Sequence, residues 1–407
     1  MTAVQHQQLS VKETLRIKPV RRLWIAQLVS IFGDYLAVFA VFGIVTFQLH
    51  GTPFQVSMIL VAFLTPIALI SPVAGVYVDK WNVKWTMIAS DLIRGVMVLA
   101  LLFEHNLIAI YATLFLMSCI SSFFVPAQTV AIRAITPPNA LVAANGLMSQ
   151  AQQASQIVAP AVMGLIIEWL GSNFCFAFDS VSFFVSAALV MTLTIERKQS
   201  EGSAASTVMQ SMKEGLKFIF THSALSFVIL SMTAGMFAIR CFGSLISIYV
   251  RDILHGDTRM FGILNSLIGV GMIGGAQLMP RLTKKASHPH LTAYGLAGMG
   301  VAVFVSAILP HVAPATGAML GIGFFAAFVM ICAQVLIQQE TPHELLGRVS
   351  STLMSLLSIA QVLALLAAGP VADRFGVIDL YYFSAVALVV IGVVGYWKLE
   401  GDKKAAR

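Results

Sequence analysis

Apolar residues run along the chain in blocks of about twenty, separated by short polar stretches that carry most of the charge. The stretch LVAFLTPIALISPVAGVYV is apolar throughout and does not alternate, as a strand of a membrane barrel would. Helices are therefore predicted, and about twenty residues rising 1.5 Å each match a hydrocarbon core of about 30 Å. Twelve such blocks are predicted, at about 23–48, 55–78, 86–103, 107–131, 143–169, 174–195, 223–250, 260–282, 290–310, 314–338, 348–370 and 377–397. Residues 1–22 are polar and basic and precede no small-residue cleavage site, so a removed signal peptide is not expected.

Composition agrees with lipid as the solvent. Of 407 residues, 58% are hydrophobic and 11% charged, and the mean hydropathy is +0.86. No soluble core of this size would hide so much apolar surface. The net charge of +7 is read as loop bias in a membrane protein, not as a nucleic-acid footprint. Cys119, Cys175, Cys241 and Cys332 stand singly inside apolar blocks, which excludes a disulfide or metal framework and leaves small buried hydrophobes.

Lysine and arginine set the orientation. With both termini in the cytoplasm, only Arg251, Arg259 and Arg374 fall on the opposite side, and Arg94 and Arg240 lie within spans. The other twenty of the 25 basic residues are cytoplasmic, as the positive-inside rule demands. The longest cytoplasmic connection, 196–222, places Val208, Met212, Leu216 and Ile219 on one helical face beside Lys213 and Lys217. An amphipathic helix on the membrane surface is expected there. The expected domains are thus 1–195, a linker 196–222, and 223–407.

The halves repeat. A shift of 205 residues carries Thr136-Pro137 onto Thr341-Pro342, Leu141 onto Leu346, Gln156 onto Gln361, Gly164 onto Gly369 and Gly171 onto Gly376. Six spans per half give both repeats the same orientation, the parallel arrangement in which a substrate site lies near the midplane between halves.

The loop after the second block reads GVYVDKWNVKW. It resembles the signature G-x-x-x-D-(R/K) of major facilitator transporters, carried here by Gly75, Asp79, Lys80 and Lys84. Glycine would permit close helix approach, the carboxylate would face a helix N-terminus, and the lysines would meet headgroups. The resemblance implies a gate latch. FGDYLAVFA, SDLIRG, VPAQTVAIRAITPPNALVAANGLMS and FAFDSVSFFVSA resemble one efflux subfamily, which includes the enterobactin exporter and macrolide efflux pumps, with lysophospholipid transporters as relatives. It implies an all-α membrane protein of twelve transmembrane helices in two pseudo-symmetric six-helix bundles, located in a bacterial inner membrane. Two departures stand out. Ala159-Pro160 with Gly164 is a thin version of the glycine-rich antiporter motif, and GGAQLMPRLTKK after the eighth block lacks the aspartate of the first-half loop.

Ionisable residues at membrane depth mark function when a partner can be named. Asp34 lies near the middle of the first block and Arg240 near the middle of the seventh; the repeat carries position 34 to 239. Asp34 is expected to bind a proton, with Arg240 facing it as a substrate-contacting or charge-balancing cation. Asp91 and Arg94, three apart, share a helix face and can pair; a structural network is expected of them, and Asp179 stands with them. Ser149, Gln153 and Gln156 lie on one face of the fifth helix with Pro160, and Ser355, Ser358 and Gln361 lie on one face of the eleventh with Ser351. These faces line a wet cavity or join helices inside a packed bundle.

No catalytic constellation appears: the nine histidines are scattered without HExxH, and no GxxxxGK loop is present. No enzyme, cofactor or metal is expected, and energy would come from a proton gradient. The leading expectation is a monomeric secondary exporter of amphiphilic or anionic small molecules, such as drugs or siderophores, in contact with membrane lipid. A lysophospholipid flippase or an uptake carrier is the alternative, and a non-transporting receptor or scaffold the reading of another class.

Overall fold

The computed structural model describes residues 9–78, 80–103, 106–195, 221, 223–341 and 346–405. A short helix α1, Val11–Arg16, comes first among the described residues. Its start is a capping box: Glu13 N–H bonds Ser10 Oγ, and the Ser10 N–H and hydroxyl both donate to the Glu13 carboxylate. Those two bonds hold the Glu13 carboxyl below the usual carboxylate range. Leu9 N–H donates to the carbonyl of Asn139, tying this N-terminal segment to the loop between the fourth and fifth spans.

Twelve long helices follow among the described residues. In the first half they are α2 (Lys18–Gly43), α3 (Pro53–Val78), α4 (Val83–Ala100), α5 (Leu107–Ile135), α6 (Leu141–Leu170) and α7 (Ser172–Met191). In the second half they are α8 (Ser223–Gly243), α9 (Thr258–Leu282), α10 (His288–Ile308), α11 (Val312–Glu340), α12 (Leu346–Phe375) and α13 (Val377–Ala405). Eleven are long and apolar enough to cross a membrane. The twelfth is α4, which has only 18 residues and carries Lys84, Asp91 and Arg94.

The repeat is visible in backbone detail. α2 runs on into a π-helical turn at Ile44–Gln48, and α8 continues through a short turn into another at Tyr249–Ile253. Each is followed by a histidine with positive φ, His50 (49°) and His255 (52°). Gly51 N–H then bonds Val45 O and Gly256 N–H bonds Val250 O, both at 2.8 Å. Gly171 (φ 80°) and Gly376 (φ 92°) break α6 from α7 and α12 from α13, a backbone conformation that a Cβ would oppose. Every pair is 205 residues apart. The expected register therefore extends over turns at both ends of the spans.

The chain divides into two compact units. Unit 1 holds residues 1–41 and 62–205; unit 2 holds 42–61 and 206–407. The boundary departs from the sequence repeat, because the π-helical turn after α2 and the first third of α3 cluster with the second half. In unit 1, α4 packs on α5 and α7 over a core containing Leu23, Val78, Met87, Phe124, Ala127 and Val190. In unit 2, α10 packs on α11 and α13, and α11 also packs on α9. The last contact is close: a Cβ on Gly323 of α11 would strike the Ile268 carbonyl. The amphipathic segment expected at 208–219 lies outside the described residues.

Candidate functional site

Three helices of unit 1 bring four charged side chains together, and Arg94 of α4 is the centre. One turn back on the same helix, Asp91 pairs with it at 2.6 Å, with side chains 4% and 0% exposed. Asp34 of α2 meets Arg94 Nη1 at 3.5 Å, and its side chain is 28% exposed. Arg94 Nε donates to the Ser90 carbonyl (3.4 Å) and Nη1 to Ser121 Oγ of α5 (3.3 Å). The guanidinium lies over the rings of Phe124 and Phe183, 4.8 and 4.3 Å from their centroids. Such faces attract a desolvated cation.

α7 completes the group. Ser186 donates to Asp91 Oδ2 at 2.7 Å, and Ser180 donates to the Gly95 carbonyl at 2.7 Å. Asp179 is wholly buried. Its Oδ1 lies 3.3 Å from the Ser182 hydroxyl, and its Oδ2 has no hydrogen-bond partner among the described residues. Gly33 lets α2 approach this point, since a Cβ there would stand 2.5 Å from both Asp179 Oδ1 and Ser182 Oγ. Two carboxylates thus meet one guanidinium, and the Asp179 carboxyl group is buried behind Gly33 of the helix that carries Asp34.

Asp34, expected to face Arg240, pairs with Arg94 within unit 1. Arg240 is half-buried in unit 2, where its Nε donates to Gln361 Oε1 at 2.7 Å. That bond joins a charged position of α8 to the polar face of α12, on which Ser355 and Ser358 are also half-buried. On α6, Ser149, Gln153 and Gln156 are exposed, as is Gln152, which donates to the Tyr35 hydroxyl of α2 at 3.0 Å.

A second polar cluster, not foreseen from the sequence, lies in unit 2 at the helix ends distal to the chain termini. Arg251 Nη1 donates to the carbonyls of Thr46 (2.8 Å) and Gly51 (2.9 Å). Its remaining nitrogens grip Asp252 at 2.6 and 2.9 Å. Thr46 Oγ1 donates to Ser247 Oγ at 2.8 Å in a buried setting, and Phe54 N–H reaches Asp373 at 3.3 Å. The signal was present as the triplet Leu-His-Gly, which occurs at 49–51 and again at 254–256.

The sequence matches the Major Facilitator Superfamily over residues 23–356. The chain belongs to that superfamily. Its members are transporters of small molecules and not enzymes, and this one is a multi-pass membrane protein. A major facilitator transporter of Bacillus subtilis (strain 168), YfiS, is 25% identical over 399 residues, covering 93% of this chain and 92% of the relative. Macrolide efflux protein A of Streptococcus pyogenes is 25% identical over 391 residues, covering 91% and 94%. Multidrug efflux pump Tap of Mycolicibacterium fortuitum is 26% identical over 393 residues, covering 92% and 94%. Among solved structures, nucleoside transporter NupG superposes with a TM-score of 0.76 at 12% identity, over 93% of this chain and 98% of that one. A bacterial homologue of the lysosomal transporter Spinster gives 0.70 at 14% identity, over 93% and 95%. At these identities the structures speak for the major facilitator fold alone.

In the major facilitator signature loop, Asp79 lies outside the described residues. Lys80 is exposed and Lys84 half-buried at the start of α4. Gly75 is partly exposed, and a Cβ there would meet nothing within 4 Å.

Proposed function

We propose that the protein is a secondary exporter that expels amphiphilic small molecules from the bacterial cytoplasm in exchange for protons, by alternating access between its two halves. The observation that carries this reading is the cluster of Asp34, Asp91 and Asp179 around Arg94. Ionised together, three carboxylates against one guanidinium leave an unbalanced negative charge at membrane depth, which is costly. Gaining or losing one proton changes that charge by a full unit. A conformational change that alters the exposure of Asp34 then couples proton release to the direction in which the site opens. The export direction is supported by the macrolide and multidrug efflux relatives. Arg240, held by Gln361, offers a cation to acidic substrates. Both termini in the cytoplasm follow from the distribution of lysine and arginine.

Proteoliposomes test the reading, with a macrolide, a lipophilic cation, a catecholate siderophore and a lysophospholipid as probes, each with and without an imposed pH gradient. Uphill movement of any of the first three only when the gradient is present supports it. Gradient-independent movement, or movement of the lysophospholipid alone, overturns it.

A further inference from the structure

We infer that a groove between α4 and α5 binds one anionic phospholipid, with an acyl chain along the groove and the phosphate at the N-terminus of α4. The groove, of about 520 Å³, is walled by Trp81, Trp85 and Ile93 on one side and by Ile120 and Phe123 on the other. Trp81 stacks on Phe123, ring centroids 5.5 Å apart and planes 20° from parallel. Trp85 is 60% exposed. In a membrane protein, indoles displayed in this way at a helix end sit at headgroup depth.

Dimensions select the occupant. From Asn82 at the mouth to Ile93 at the deep end, α4 rises about 16 Å at 1.5 Å per residue. Half of a hydrocarbon core is about 15 Å, so the groove runs the depth of one leaflet and ends where an acyl chain ends. Its lining is almost wholly apolar, with Ser90 near the deep end. A membrane-spanning helix would run about twice this depth.

Charge selects the headgroup. Lys80 and Lys84 are the sequence neighbours of the lining residues Trp81 and Trp85, and Lys80 is exposed. The mouth is also the N-terminus of an 18-residue helix, where Asn82 caps Trp85 N–H and the helix dipole favours an anion. The floor touches the buried charge cluster: Ser90, whose carbonyl accepts from Arg94 Nε, lines the groove. An occupied groove therefore braces the helix that carries Arg94. This inference does not depend on proton-driven export.

Quenching of tryptophan fluorescence by brominated lipids tests it on the full-length protein in phosphatidylcholine bilayers. Brominated phosphatidylglycerol and brominated phosphatidylcholine are titrated in parallel. The expected result is half-maximal quenching at a roughly five- to thirtyfold lower fraction of phosphatidylglycerol, the effect of one to two lysines beside an anionic lipid. That preference should be confined to the emission lost in Trp81→Phe/Trp85→Phe, and should vanish in Lys80→Gln/Lys84→Gln with the emission maximum unchanged. Equal quenching by the two lipids means annular lipid only and overturns the inference. A preference that survives both lysine substitutions overturns it as well.

Discussion

Arg251 donates to the main-chain carbonyl of Thr46, the residue that holds its own place in the first repeat, 205 positions earlier. The same nitrogen also reaches Gly51 O, and Thr46 Oγ1 donates to Ser247. One side chain thus satisfies two carbonyls at the π turn that ends α2, where helix geometry leaves acceptors without partners. If transport opens the distal face, these bonds must break in each cycle. Cysteines at Thr46 and Ser247 are expected to cross-link under oxidation and stop transport, with recovery on reduction and no effect from either cysteine alone. Full transport by the cross-linked protein would show that the contact stays closed. Arg251→Ala should destabilise the distal end by about 1–3 kcal/mol, the cost of buried acceptors left unpaired.

Arg94 should be the least replaceable charged residue of unit 1. Removing it leaves Asp91 and Asp34 without their cation and empties the space between Phe124 and Phe183. Breaking a buried pair costs about 3–5 kcal/mol, so Arg94→Ala should lower the melting temperature in detergent sharply. Lysine keeps the charge but loses the planar contacts and the fork, and should recover part of the loss. Asp34→Asn, at a partly exposed position, should instead leave the melting temperature nearly unchanged while abolishing gradient-driven transport. An undiminished rate in that variant removes Asp34 from the coupling.

Gly323→Val should damage unit 2 more than any surface change on α11. The Ile268 carbonyl occupies the space that its side chain would need, and neither backbone can yield without separating α9 from α11. A cost of at least about 1–3 kcal/mol is expected for such overpacking, read as a lower melting temperature. Gly317, where a Cβ meets nothing within 4 Å, is the control on the same helix, and Gly317→Ala should be neutral.

The N-terminal cap predicts a pH response of known sign. The Glu13 carboxyl titrates lower in the capped helix than in an unfolded chain. Its contribution is therefore complete above the ordinary carboxylate range, near pH 4.3, and is lost as pH falls through the depressed value. The protection of the Ser10 and Glu13 amides against exchange, relative to their intrinsic rates at each pH and followed by mass spectrometry, should fall only in acid. Glu13→Gln should abolish that acid dependence.

Much of this architecture was legible before any coordinates. Span positions followed from block length, and the register of 205 residues followed from Thr136 to Gly171 against Thr341 to Gly376. The repeat could have been carried further, since Leu49-His50-Gly51 and its copy were in plain view. Side-chain pairing was harder to read. Asp91 with Arg94 is local, three residues apart on one helix, and was found. Asp34 with Arg94 depends on how α2 and α4 are rotated about their axes, which no spacing encodes.

The composition of α4 bears on how the protein is made. With Lys84, Asp91 and Arg94 in 18 residues, this helix is a poor substrate for the insertion machinery, since each such charge near a helix centre adds about 2.5–3.5 kcal/mol. It enters lipid with Asp91 and Arg94 already neutralising each other, but the hydroxyl of Ser186 and the ring of Phe183 emerge from the ribosome some ninety residues later. α4 must therefore wait, half-satisfied, until α7 is synthesised. During that interval the nascent first bundle is open to quality control.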